Sequence, residues 1–284
     1  MNPSIFSGTI AITLLSCFLF FRQGFTQNQT EPALIYTGAG LFIIFASQFL
    51  SIWTKASRPL LTILLLLLLA LIGKLIPHQS IVSILVASLG ALMYIVTLAK
   101  EFRNKDQISN NFNTLAIAIL VGIYTSGMVF SSKYHDAYFL EKLTFGQPFD
   151  MGTDTLFHAS LANMIANLGR ITTGLDGIPF TAYHAGSHII FAQLCKLLAQ
   201  DCMPFFIFGY PLLAIPLFFN ALSTLTLQLL DSSQTEQKTN LNFVYLAITS
   251  LTIGFLPPEG KICDLSGPFI GESYGFGIVL AFFT

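Results

Sequence analysis

Three of the chain's five histidines fall within one short stretch, residues 149–200. It reads FDMGTDTLFHASLANMIANLGRITTGLDGIPFTAYHAGSHIIFAQLCKLLAQ. Asp154 and His158 are four residues apart, and so are His184 and His188. On a helix each such pair shares one face. Ligands at i and i+4 on each of two helices can hold zinc, which makes Asp154, His158, His184 and His188 a candidate metal set. Asp150 and Asp154 offer oxygen ligands instead, the chemistry that suits magnesium or manganese. Without a metal, Asp154, Asp150 and His158 are the candidate acid–base groups. Arg170 could hold a phosphate through its guanidinium fork, with His184 and His188 lining the same site.

Each of these residues also has a purely structural reading. A carboxylate in a first helical turn is favoured by the helix dipole, and Asp150 could cap a turn. His158 could donate to a backbone carbonyl, while His184 and His188 could face interfacial water. Arg170 could complete a helix C-terminus. Asn163 and Asn167 form a further i, i+4 polar pair.

Two helices must position these groups. The first is expected over 153–168, with Thr153 as N-cap and Gly169-Arg170 as the stop. The second is expected over 183–199. It has too few apolar residues to cross a bilayer, so it should lie on the membrane surface or pack on other helices. The linker over 169–182 holds Gly174, Asp176-Gly177 and Pro179, all turn formers. A simple antiparallel hairpin would hold the two pairs about 15–20 Å apart, at about 1.5 Å rise per residue. Convergence requires the linker to run back along the first helix or the helices to cross steeply. An extended residue spans about 3.3 Å, so the linker is long enough.

The rest of the chain is apolar. Its 284 residues are 54% hydrophobic and 10% charged, with a mean hydropathy of +0.71. Soluble domains carry about 25% charge, so lipid must be part of the solvent. The net charge of −1 gives no field that would gather nucleic acid. Cys17, Cys195, Cys202 and Cys263 lack metal-type spacing. Cys202 and Cys263 fall on one expected side and could pair, although four free thiols is the preferred reading.

Apolar segments are expected over 5–21, 33–53, 60–76, 81–99, 114–130, 204–230 and 243–256. A partial eighth begins at 274 and is too short to cross, so the chain is read as the N-terminal part of a longer protein. The fold class is therefore an all-α polytopic membrane bundle in three parts. Residues 1–130 form a five-helix bundle, 131–202 an extracytoplasmic helical region with the polar cluster, and 203–284 further membrane helices. Lys55, Arg58, Lys100, Arg103 and Lys105 crowd the second and fourth loops. The positive-inside rule puts those loops and the N-terminus in the cytoplasm. The expected spans hold no Asp or Glu, and no basic residue except Lys74 at an edge. That argues against an ion-coupled path.

The run DTLFHASLANMIANLGRITTGLDGIPFTAYHAGSH resembles a segment of uncharacterised polytopic bacterial membrane proteins. The layout is similar, more loosely, to the C-type membrane glycosyltransferase superfamily, whose members carry acidic residues in outer loops beside surface-lying helices. The resemblance implies an enzyme of the bacterial inner membrane that takes a polyprenyl-phosphate-linked sugar on the outer face. Asp154 matches the family's catalytic acid, with Asp150 second. In that superfamily the principal acidic loop follows the first membrane helix, whereas here it follows the fifth. A transporter or flippase subunit and a non-catalytic membrane scaffold are the alternatives.

Overall fold

A computed structural model describes residues 3–21, 30–76, 80–103, 109, 111–127, 153–172, 186–202, 205 and 209–232. Among these residues the chain is all helix, with no strand. The helices are α1 (Pro3–Phe21), α2 (Thr30–Thr54), α3 (Arg58–Leu75), α4 (Ser80–Phe102), α5 (Asn111–Gly127), α6 (Thr153–Leu168), α7 (Gly186–Leu197) and α8 (Tyr210–Ser232). The expected segments over 243–256 and from 274 lie outside the described residues.

Among the described residues three helices are long and apolar enough to cross a membrane: Pro3–Phe20 within α1, α2, and α4. The helix over 153–168 runs as the sequence predicts, and Gly169 stops it at φ 71 with its N–H on the Ile165 carbonyl at 3.0 Å. Only glycine takes that left-handed position without strain. The second helix is described over Gly186–Leu197, ending two residues before the expected 199, while its expected start at 183 lies outside the described residues.

α1 carries serines and threonines, yet it is 67% buried. Their hydroxyls turn back onto the helix itself: Ser7 onto Pro3 O at 3.0 Å, Thr9 onto Ile5 O at 2.8 Å, and Thr13 onto Thr9 O at 2.9 Å. A hydroxyl satisfied in this way can sit in an apolar interior.

Small residues let the helices approach closely. A Cβ on Gly38 of α2 would lie 2.6 Å from the Ala87 Cα of α4, and one on Gly90 of α4 would strike the Gly38 carbonyl. Close backbone contact of this kind recovers dispersion energy where no hydrophobic force separates helix from solvent.

The contacts also fix helix directions. Gly38 lies against Ala87, Gly90 against Phe42, and Phe45 meets Tyr94 edge-on at 5.7 Å. Residue numbers rise together, so α2 and α4 are parallel. Gly209 lies against Tyr36, and Gly40 against Leu213, so α8 is parallel to α2 as well. α1 runs the other way. Its Ser4 hydroxyl donates to Asn220 Oδ1 at 3.5 Å, and Phe6 packs on Phe219 at 6.4 Å. α3 returns antiparallel to α2 through the short turn at 55–57.

One end of the bundle therefore gathers the end of α2, the start of α3 and the end of α4. Lys55, Lys100 and Arg103 are exposed there, and Arg58 is half-buried. The other end holds the start of α2, the end of α3 and the start of α8. α2 is 72% buried at the centre, whereas α4 is only 11% buried. Leu64, Leu67, Leu68 and Leu71 of α3, with Leu85, Leu92 and Ile95 of α4, form broad exposed apolar faces.

Candidate functional site

α7 is held against the far end of the bundle by one glycine. Gly73, near the end of α3, lies so close to α7 that a Cβ there would strike the Gln193 carbonyl and sit 3.0 Å from Leu197 Cβ. An aromatic chain ties α7 to the start of α2: Phe191 packs on Phe205 at 5.4 Å, and Phe205 on Tyr36 at 5.2 Å. α6 packs in turn on α7.

Between α6 and α7 the His158 and His188 rings meet. Both are buried, at 3% and 1% exposure. His158 Nδ1 lies 2.8 Å from His188 Nε2. The ring planes are 23° apart and their centroids 5.0 Å apart. The centroids are thus farther apart than the facing nitrogens by about the width of a ring. The rings lie edge to edge along the N···N line, not face on face. One nitrogen carries the proton and donates; the other accepts with its lone pair. Neutral imidazole has one of each, so two neutral rings make this bond, as does one neutral and one charged ring. Two charged rings would set N–H against N–H and could not.

The contact lies in the first half of both helices, which a simple antiparallel hairpin does not allow. Leu168 is about 15 Å along α6 from His158, at about 1.5 Å per residue. The contact therefore requires one of the two arrangements named above, a linker that returns along α6 or a steep crossing of the two helices; the linker itself lies outside the described residues.

Of the four residues proposed as metal ligands, the fold brings His158 and His188 together. His184 lies outside the described residues, as does Asp150. Asp154 is in the first turn of α6, with its side chain outside the described set. Among the described residues no group of three or more His, Cys, Asp or Glu is placed to hold a metal. Bond lengths of about 2.0–2.1 Å at a tetrahedral ion hold two imidazole nitrogens farther apart than 2.8 Å. The described pair fits a shared proton better than a shared ion. Arg170 is exposed just past the end of α6, beside Gly169. Asn167 donates to Asn163 Oδ1 at 2.9 Å on the exposed face, so that pair satisfies itself.

Sequence reasoning passed over two features. Gln193 is 9% exposed, and its side-chain oxygen has no hydrogen-bond partner among the described residues. A single glutamine on the apolar face of α7 was the only signal. The second is a thiol cluster. Cys195 and Cys202 are buried and free, and Tyr36 is buried among them. Burial pushes the Cys195 thiol well above the usual thiol range, reinforced by Cys202. Cys263 lies outside the described residues.

Comparison of the chain with known protein families, with curated proteins and with solved structures gives no match.

Proposed function

We propose that the chain is an integral membrane protein with a proton-transfer site at its outer end, serving transfer of a sugar from a polyprenyl-phosphate donor. The buried His158–His188 bond is the observation that carries the reading. A hydroxyl acceptor needs a base within hydrogen-bond reach. A neutral imidazole whose neighbour fixes its tautomer is suited to that task. His158 takes the role of base, with His188 as the residue that orients it and shares the proton. Asp154, one turn before His158, remains the carboxylate partner the sequence suggests, and Arg170 the phosphate contact.

Membrane insertion is supported by the long apolar helices and by the exposed leucine and isoleucine faces of α3 and α4. The alternating helix directions are those of successive crossings. The ring of Lys55, Arg58, Lys100 and Arg103 sits opposite α7, so the positive-inside rule puts that ring in the cytoplasm and the histidines outside.

The test is turnover of a radiolabelled polyprenyl-phosphate sugar by the purified protein in phospholipid vesicles, read as release of polyprenyl phosphate. Loss of a general base costs about 10²–10⁴-fold, which is the expected effect of His158→Ala. Arg170→Ala should raise KM for the donor. No turnover by the intact protein, or turnover unchanged in His158→Ala, would remove the reaction and favour a scaffold.

A further inference from the structure

Four helix ends meet at the basic end of the bundle: the ends of α2 and α4 and the starts of α3 and α5. The contacts Gly38–Ala87, Phe42–Gly90 and Phe45–Tyr94 put α2 and α4 in a register of 48 or 49 residues. At that offset Lys55 comes level with Arg103, and each is the first residue past its helix. Lys100 lies one turn back on α4. All three are exposed, with Arg58 half-buried at the start of α3. Glu101 and, at the end of α8, Asp231 are the acidic residues that the described helices bring to this end. An aromatic layer lies just inside the cations. Trp53 is 75% exposed and packs on Phe49 at 5.9 Å, and Phe112 at the start of α5 is 63% exposed.

The simplest role for these cations is to complete the C-termini of α2 and α4. Other donors already meet those carbonyls. The Thr54 hydroxyl donates to Leu50 O at 2.9 Å, and the Lys55 N–H to Ser51 O at 3.0 Å. On α4 the Arg103 N–H faces Lys100 O at 3.3 Å, and Asn111 Nδ2 donates to Glu101 O at 3.2 Å. The ammonium and guanidinium groups are left to face outward. Lys55 also sits at φ 57, the left-handed position after a helix where glycine is the least strained residue.

We propose that this end is a binding surface for anionic phospholipid, with Lys55, Lys100 and Arg103 taking headgroup phosphates and Trp53 and Phe49 lying against the upper acyl chains. The proposal rests on the membrane reading above. Charge and layering together select the partner. Aromatic rings set just inside cations match the step from acyl chain to headgroup. Phosphate oxygens accept from both ammonium and guanidinium groups. An acidic soluble partner would match the cations but not the apolar layer beside them. A cation close to an anionic leaflet gives about a five-fold preference for it.

Trp53 is the chain's single tryptophan, so its fluorescence reports this surface alone. The full chain is reconstituted in phosphatidylcholine vesicles, and acyl-brominated phosphatidylglycerol or acyl-brominated phosphatidylcholine is added at equal mole fraction as the quencher. The expected result is stronger quenching by the phosphatidylglycerol, equivalent to about five-fold tighter binding beside Trp53. The preference should vanish when Lys55→Gln, Lys100→Gln and Arg103→Gln are combined, and persist when both lysines are changed to arginine. Salt tests the same point on the unaltered chain. At about 1 M the screening length falls to about 3 Å, and the two lipids should quench nearly alike. Equal quenching at low salt would overturn the proposal and leave membrane insertion standing. A preference that survives both high salt and the three glutamines would also overturn it. Quenching by neither lipid would overturn the membrane reading and this proposal with it.

Discussion

The His158–His188 bond makes each ring the other's partner in a buried place. Removing one leaves a polar nitrogen facing a void, which costs about 1–3 kcal/mol. His158→Ala and His188→Ala should each lower stability by about that amount. Because the two losses share one bond, the double variant should lose less than the sum, with a coupling of about 0.5–3 kcal/mol in a thermal or denaturant cycle. Additive losses would mean that the bond does not form in solution. Sequence spacing singled out all four candidate residues but paired them within helices. The bond actually described runs across helices, joining one member of each pair. Spacing reports which residues share a helix face; it does not report how two helices pack, and that packing decides which pairs meet. Ala199, which caps α7 in the left-handed region at φ 53, is a second residue-scale case. A left-handed residue with a Cβ costs about 1–2 kcal/mol relative to glycine, so Ala199→Gly should raise the unfolding temperature. No periodicity announces this cap, because alanine is a good helix former and hides it. The raised Cys195 thiol gives the third. Its folded value lies above its unfolded one, so stability is fully present below the unfolded value and is lost as pH rises past it. In reduced protein, stability should be flat up to about pH 8.5 and fall above that.

At the scale of elements, glycine decides which helices touch. Gly38 and Gly90 bring α2 and α4 into backbone contact, and Gly73 does the same for α3 and α7. Filling these places overpacks the interface. Gly90→Leu and Gly73→Leu should each cost about 1–3 kcal/mol or more, read as lost thermal stability in detergent. Gly127 meets nothing within 4 Å of an added Cβ. Gly127→Ala should therefore change stability by less than about 1 kcal/mol, and toward greater stability, because alanine favours helix. Equal losses at all three positions would show that glycine acts through backbone flexibility and not through close packing. Helix existence was easy to read, since runs of leucine and isoleucine bounded by polar turns leave few alternatives. The partners were not. Gly38, Gly73 and Gly90 look alike in sequence to glycines that touch nothing, and only the third dimension separates them.

For the whole molecule, the axis of the bundle carries the argument. Parallel α2, α4 and α8, with α1 and α3 opposed, give two distinct ends. One bears Lys55, Lys100 and Arg103, all exposed, and the half-buried Arg58. The other holds α7 and the histidine pair. Charge bias in the loops predicted which segments share an end, and the helix contacts group them the same way. On the proposed reading, the histidine end and the basic end lie on opposite sides of a bilayer. The most direct test replaces Lys55 and, separately, Asn167 with cysteine in a background lacking Cys17 and Cys263. Each is labelled with a membrane-impermeant maleimide before and after permeabilising cells. The account predicts that Asn167→Cys reacts in intact cells and Lys55→Cys only once they are permeabilised. Reaction of both from the same side, or of Lys55→Cys alone in intact cells, would contradict it.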